Sequence, residues 1–140
     1  MKPGTTYSTG EFDSEILRSG DFQLISITLD STATLNAATK IPKGTLLTKD
    51  TALTDGTYTV VDTEAANNNL NGTPTQFMKD AVVLAETILD ASAGDQHVKA
   101  YWAGTFDLAK ILYTYKATTV ITLAQWAAAQ RIKIVDGPSA

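Results

Sequence analysis

The stretch HVKAYWAGTFD, residues 97–107, constrains the fold of this chain more than any other. Val98, Ala100, Trp102 and Phe106 fall on one face of an extended backbone, with His97, Lys99, Tyr101 and Thr105 on the other. Period-two alternation over this length specifies a β-strand, because successive side chains of a strand point to opposite faces of its sheet. AVVLAETILDA, residues 81–91, comes just before it. Its apolar run suits a strand buried on much of both faces, and the branched Val82, Val83, Thr87 and Ile88 favour strand over helix. Gly94-Asp95 offers a turn between the two stretches. Residues 81–91 and 97–106 are therefore expected to form a long antiparallel pair.

More strands are legible upstream. In DFQLISITLD, residues 21–30, Ile25, Ile27 and Leu29 alternate with Leu24, Ser26 and Thr28. Pro42 and Lys43-Gly44 signal turns before a short strand, TLLT. Asp55-Gly56 lies between Thr-rich and β-branched runs, the sequence signature of a type I′ hairpin. EAANNNLNGTPTQF reads as a loop, because Asn, Gly and Pro favour turns. Near the end, Thr122 is expected to cap a helix with Leu123, Trp126, Ala127 and Gln130 on one face. Asp107 is a candidate cap for a second short helix in DLAKILY, and RIKIV reads as a strand with Ile132 and Ile134 on one side. The fold class is thus mainly β with some α+β character. A compact β-barrel or β-tulip-like domain is expected, with one or two short helices near its C-terminus.

The first twenty residues, MKPGTTYSTGEFDSEILRSG, have a different character. They are polar and rich in Gly, Thr and Ser, and cannot bury enough apolar surface to fold alone. Residues 1–20 read either as a frayed terminus or as an extended arm that orders on a partner, and 21–140 as one domain. The arm's sparse large residues, Tyr7, Phe12, Ile16 and Leu17, are its candidate anchors on a partner, and an extended segment can add a strand to an exposed sheet edge. One domain is what 140 residues allow, and a chain of this size buries roughly 70% of its unfolded surface.

Chemistry is sparse. The net charge is −4 with 11 scattered Lys and Arg, which disfavours direct contact with nucleic acid. There is no Cys, so thiolate metal sites, Cys nucleophiles and disulfides are excluded. His97 is the one imidazole, placed mid-strand without triad partners, so an ordinary surface role is expected. The carboxylates are dispersed, and several, such as Asp55, Asp95 and Asp107, sit where turns or caps need them. No nucleotide, hydrolase or calcium-loop motif is present. The start has no apolar leader and no apolar run is long enough for a membrane-spanning helix, so a soluble protein made in a cytoplasm is expected. The residues point to no catalytic, cofactor or metal site and away from an enzyme.

The order of features resembles the head decoration proteins of tailed bacteriophages, the lambda-type family. The resemblance rests on the polar arm, on KIPKGTLLTKD and a DG turn followed by AVVLAETILDASAGDQHVKAYWAGTFDLAKI, and on the closing LAQWAAAQRIKIV. It covers most of residues 20–135. The longer stretch before KIPKG and the Asn-rich loop depart from the family pattern. The resemblance implies a homotrimer on the outer surface of the virion capsid, near local threefold axes. There it would bind the major capsid protein and stabilise the expanded head against internal DNA pressure. No membrane partner is expected, because no apolar run is long enough for a spanning helix. The alternative is a β-sandwich carbohydrate- or receptor-binding module, using Tyr101, Trp102 or Tyr113 as a stacking platform.

Overall fold

A computed structural model describes residues 16–49, 56–63, 76–129 and 131–135. Among these, strands β1 (Leu17–Leu29), β2 (Leu46–Lys49), β3 (Tyr58–Val60), β4 (Val82–Leu84), β5 (Gln96–Asp107) and β6 (Ile132–Val135) form one sheet. Two short helices, α1 (Gln76–Lys79) and α2 (Leu123–Ala128), accompany it. The domain is mainly β, as the alternating pattern requires.

The sheet closes on itself. Its order is β1-β3-β2-β4-β5-β6, and β1 pairs with β5 as well. The first five strands therefore make a ring. The β1–β3 seam is its thinnest part, a parallel contact at Leu29 and Tyr58. β6 lies parallel to the second half of β5, from Gly104 opposite Ile132 to Asp107 opposite Val135.

Side-chain alternation across this ring builds two cores. Ile27 and Leu29 of β1, Leu47 of β2, Tyr58 and Val60 of β3, Val82 and Leu84 of β4, and Val98 and Ala100 of β5 share one cluster. A cluster fed by all five ring strands is the inside of the barrel. Leu46, Val83 and Tyr101 point the other way. They are covered by Met78 of α1, Trp126 of α2, Ile132 of β6 and the chain segment carrying Ile111, Tyr113 and Ile121. β4 is thus apolar on both faces, which explains its continuous hydrophobic run, and β2 is so at Leu46 and Leu47.

The structure corrects the expected pairing of β5. β4 and β5 meet at Val83–Tyr101 and Leu84–Ala100. The long partner of β5 is β1, aligned from Leu29–Gln96 to Leu17–Phe106. Beyond Leu84 the chain turns away. Ile88 exchanges two backbone hydrogen bonds of 2.8 Å with Ile41, and residues 91–93 form a 3₁₀ turn.

The face assignment on β5 also changes, for an identifiable reason. Gln23 faces Ala103 and Leu24 faces Tyr101, so Trp102 is an extra residue on β5. Such a bulge inverts the alternation beyond it. Val98 and Ala100 enter the barrel and Tyr101 points outward into the second core. Past the bulge, Phe106 joins Tyr101 and not Val98. Tyr101 is buried between the edges of Phe22 and Phe106, with centroids 5.6 Å away in each case. Trp102, expected in the core with Val98 and Ala100, is half-buried at the crossover and packs against their cluster.

Turns and caps bear on the other local expectations. β2 and β3 pair antiparallel, with Lys49 opposite Tyr58, and of the expected Asp55-Gly56 turn the described residues include Gly56, at φ of 78°. Asp55 itself and the Asn-rich segment 64–75 lie outside the described residues. Thr122 does cap α2, in a capping box with Gln125. The buried face of α2 is Gln125 and Trp126, however, and Leu123 is 85% exposed. Ile121 and Trp126 share the second core at the positions of a hydrophobic staple, and in so short a helix that contact sets the rotation. Gln130 lies outside the described residues. Asp107 caps a single 3₁₀ turn, Leu108–Lys110, accepting from Ala109 N at 3.0 Å.

Candidate functional site

The four proposed arm anchors separate into two pairs. Ile16 and Leu17 are 4% and 3% exposed, inside the second core. β1 begins at Leu17, which faces Phe106, and the Ile16 carbonyl accepts from Asp107 N at 3.0 Å. Both residues belong to the barrel, and an arm that starts the chain ends before them. Tyr7 and Phe12 lie outside the described residues.

The aromatic platform is dispersed. Tyr113 is buried, and its hydroxyl accepts from Ile121 N at 3.2 Å. Burial raises the phenol pKa of Tyr113 above its ordinary value. Tyr101 is buried as described above. Trp102 carries the Arg131 guanidinium over one ring face at 3.4 Å. That guanidinium also donates to the backbone carbonyls of Lys79, Ala81 and Trp102. Arg131 therefore ties the end of α1 to the bulge of β5.

The carboxylates hold the backbone together. Asp30 is buried and accepts from Thr32 N, from the Thr32 hydroxyl and from the Thr57 hydroxyl. The Thr32 contact holds its pKa below the ordinary carboxylate value. Asp90 accepts from the backbone and hydroxyl of Ser92, which depresses its pKa likewise. Asp95 accepts from Ser31 N at 2.9 Å and Glu86 from Lys99 N at 2.8 Å. His97 is exposed, with Nδ1 3.2 Å from the hydroxyl of its cross-strand neighbour Thr28. Among the described residues no three His, Asp or Glu side chains gather where a metal ion could be held.

A groove of about 590 Å³ opens on the surface among the described residues. Leu35, Leu112, Tyr113, Tyr115 and Ala117 line it, with Asn36, Lys116 and Thr118. One wall is a two-residue turn. Leu35 and Ala38 exchange backbone hydrogen bonds of 2.9 Å, and Asn36 and Ala37 between them have φ of 49° and 70°. Positive φ at both central positions is the mark of a type I′ turn. The other wall is the loop after Tyr113. Tyr115 has φ of 66° and is 46% exposed. The walls are tied by Asn36 N donating to Thr114 Oγ1 at 3.2 Å and Tyr115 N donating to Asn36 Oδ1 at 3.3 Å. Lys116 Nζ donates to the carbonyls of Leu108 and Ile111 and lies 5.8 Å from the Tyr113 ring centroid. Burial lowers the Lys116 pKa, while the Asp107 carboxylate acts in the opposite sense.

Sequence reasoning missed this groove. Asn36 was its one visible signal, since Asn tolerates left-handed backbone; Ala37 and Tyr115 carry no such mark. No protein-family model and no curated protein matches the chain.

Proposed function

We propose that this protein decorates the outside of an expanded bacteriophage head. It would act as a homotrimer near local threefold axes, holding neighbouring major capsid proteins together against the pressure of packaged DNA. The observation that carries this reading is the seating of Ile16 and Leu17 in the core. It gives the polar residues 1–15 a rigid point of departure, leaving Tyr7 and Phe12 as their large anchors. Support comes also from the order of sequence features shared with the decoration-protein family. Within the barrel, Asp30, Asp90, Asp95, Asp107 and Arg131 serve caps, turns and backbone contacts, as a scaffold requires.

The physical logic is avidity. One short segment with two anchors binds weakly. Three copies on one trimer engage several capsid sites together, and the linked contacts multiply modest affinities. Preference for the expanded shell then stabilises that state by mass action. The test is sedimentation of the full chain, and of a chain lacking residues 1–15, with expanded heads and with unexpanded ones. Retention by expanded heads alone, lost on truncation, supports the reading. Undiminished retention of the truncated chain overturns it.

A further inference from the structure

We propose that the groove between the 35–38 turn and the 112–118 loop binds a small apolar carboxylate, its charged end against Lys116 and its hydrocarbon body between Leu35 and Tyr115.

Charge selects this ligand class. Lys116 is the one charged side chain among the residues lining the groove, and no carboxylate lines it. The Lys116 ammonium is half-buried and has three N–H donors, of which the neutral carbonyls of Leu108 and Ile111 take two. Burial lowers its pKa, with Asp107 opposing the effect. An anion in the groove would favour the charged form that burial disfavours. Asn36 adds a second donor. Its Oδ1 accepts from Tyr115 N, so the other end of the same amide is an NH₂ group. The remaining lining is mostly apolar, and about 590 Å³ suits a small molecule.

The backbone points to the same place. Among the described residues, the non-glycine residues with positive φ are Asn36, Ala37 and Tyr115, and all of them stand in the walls of this groove. Left-handed backbone at such residues persists only where the surroundings hold it, and it gathers at ligand sites. Tyr115 is held firmly. Its N–H donates to Asn36, and its carbonyl accepts from Thr118 N at 3.0 Å and Thr119 N at 2.8 Å. The strained residue thus keeps a half-exposed aromatic ring at the rim, set before any ligand arrives.

This inference is independent of the proposed capsid function, and its test uses no capsid. The measurement is calorimetric titration of the full chain at neutral pH with octanoate and with octanamide, its uncharged counterpart. Octanoate should bind about tenfold more tightly, because a charge-assisted hydrogen bond is roughly twice as strong as a neutral one. Lys116→Met keeps the aliphatic stem and removes the charge, and should bring the two affinities together. Tyr115→Gly should weaken both ligands. It deletes the ring while easing the left-handed backbone, so the fold is kept. Absent binding of octanoate, or equal affinity for the two ligands in the wild type, overturns the proposal without any variant. A preference for octanoate that survives Lys116→Met also overturns it, and octanoate binding undiminished in Tyr115→Gly does the same by placing the ligand elsewhere.

Discussion

The Arg131 guanidinium lies 3.4 Å from the centroid of the Trp102 ring, stacked on the residue that β5 skips between its Ala103–Gln23 and Tyr101–Leu24 pairs with β1. The bulge exposes a ring face, and the cation covers it while donating to the carbonyls of Lys79, Ala81 and Trp102. Stacking and forked donation together are an arginine's chemistry, which a lysine cannot reproduce.

Replacing Arg131 should therefore cost stability even with a cation. A charge-assisted hydrogen bond contributes about 1.5–3 kcal/mol, and a partly exposed cation–π contact about 1 kcal/mol. With the site half-exposed, Arg131→Ala is expected to lose about 2–3 kcal/mol, and Arg131→Lys to recover less than half. Urea midpoints measure both.

Ala37 occupies a left-handed position that favours glycine, with φ of 70°. Left-handed backbone costs a non-glycine residue about 1–2 kcal/mol, and the entropy of glycine takes back part of the gain. Ala37→Gly should stabilise the protein by about 0.5–1 kcal/mol, which is a rise of about 2–4 °C in Tm. Unchanged or lower thermal stability would contradict the type I′ reading of this turn.

Ile16 and Leu17 set where truncation becomes destructive. Removing residues 1–15 should leave the melting temperature nearly unchanged. Ile16→Ala and Leu17→Ala should each cost about 2–4 kcal/mol, as expected for large side chains cut from a packed core. A chain lacking residues 1–17 should then melt well below one lacking residues 1–15.

The pH dependence follows from Asp30. Its pKa is depressed in the folded state by Thr32, so the unfolded chain binds its proton more readily. The stability Asp30 contributes is fully present above the unfolded carboxylate pKa of about 3.9 and is lost as pH falls through the folded value. Asp30→Asn should lower stability at neutral pH and flatten the loss of stability below about pH 4. Urea melts at pH 7 and pH 3 separate the two effects.

Much of the barrel could be read from the chain because alternation is local. β5, β6, the strand of Ile25 to Leu29, the Thr122 cap and the Asp107 cap all follow from spacing or from one side chain's reach. Pairing is not local. The sequence of β4 suits β5 and β2 equally, and Leu84 leaves β5 because Ile88 finds Ile41 more than forty residues away. The bulge at Trp102 is invisible for a related reason. Nothing in YWAG states that the residue opposite is skipped, and one skipped residue moves Phe106 to the other core. Ile16 and Leu17 read as arm anchors because their neighbours are polar; their burial comes from partners such as Phe106, far along the chain.

The central claim is that the barrel is a platform from which the first fifteen residues grip an expanded phage head. Co-sedimentation tests it most directly. The full chain should pellet with expanded heads and stay in solution with unexpanded ones, and a chain lacking residues 1–15 should pellet with neither. A full chain that pellets with neither head, or a truncated chain that pellets as well as the full one, would contradict the account.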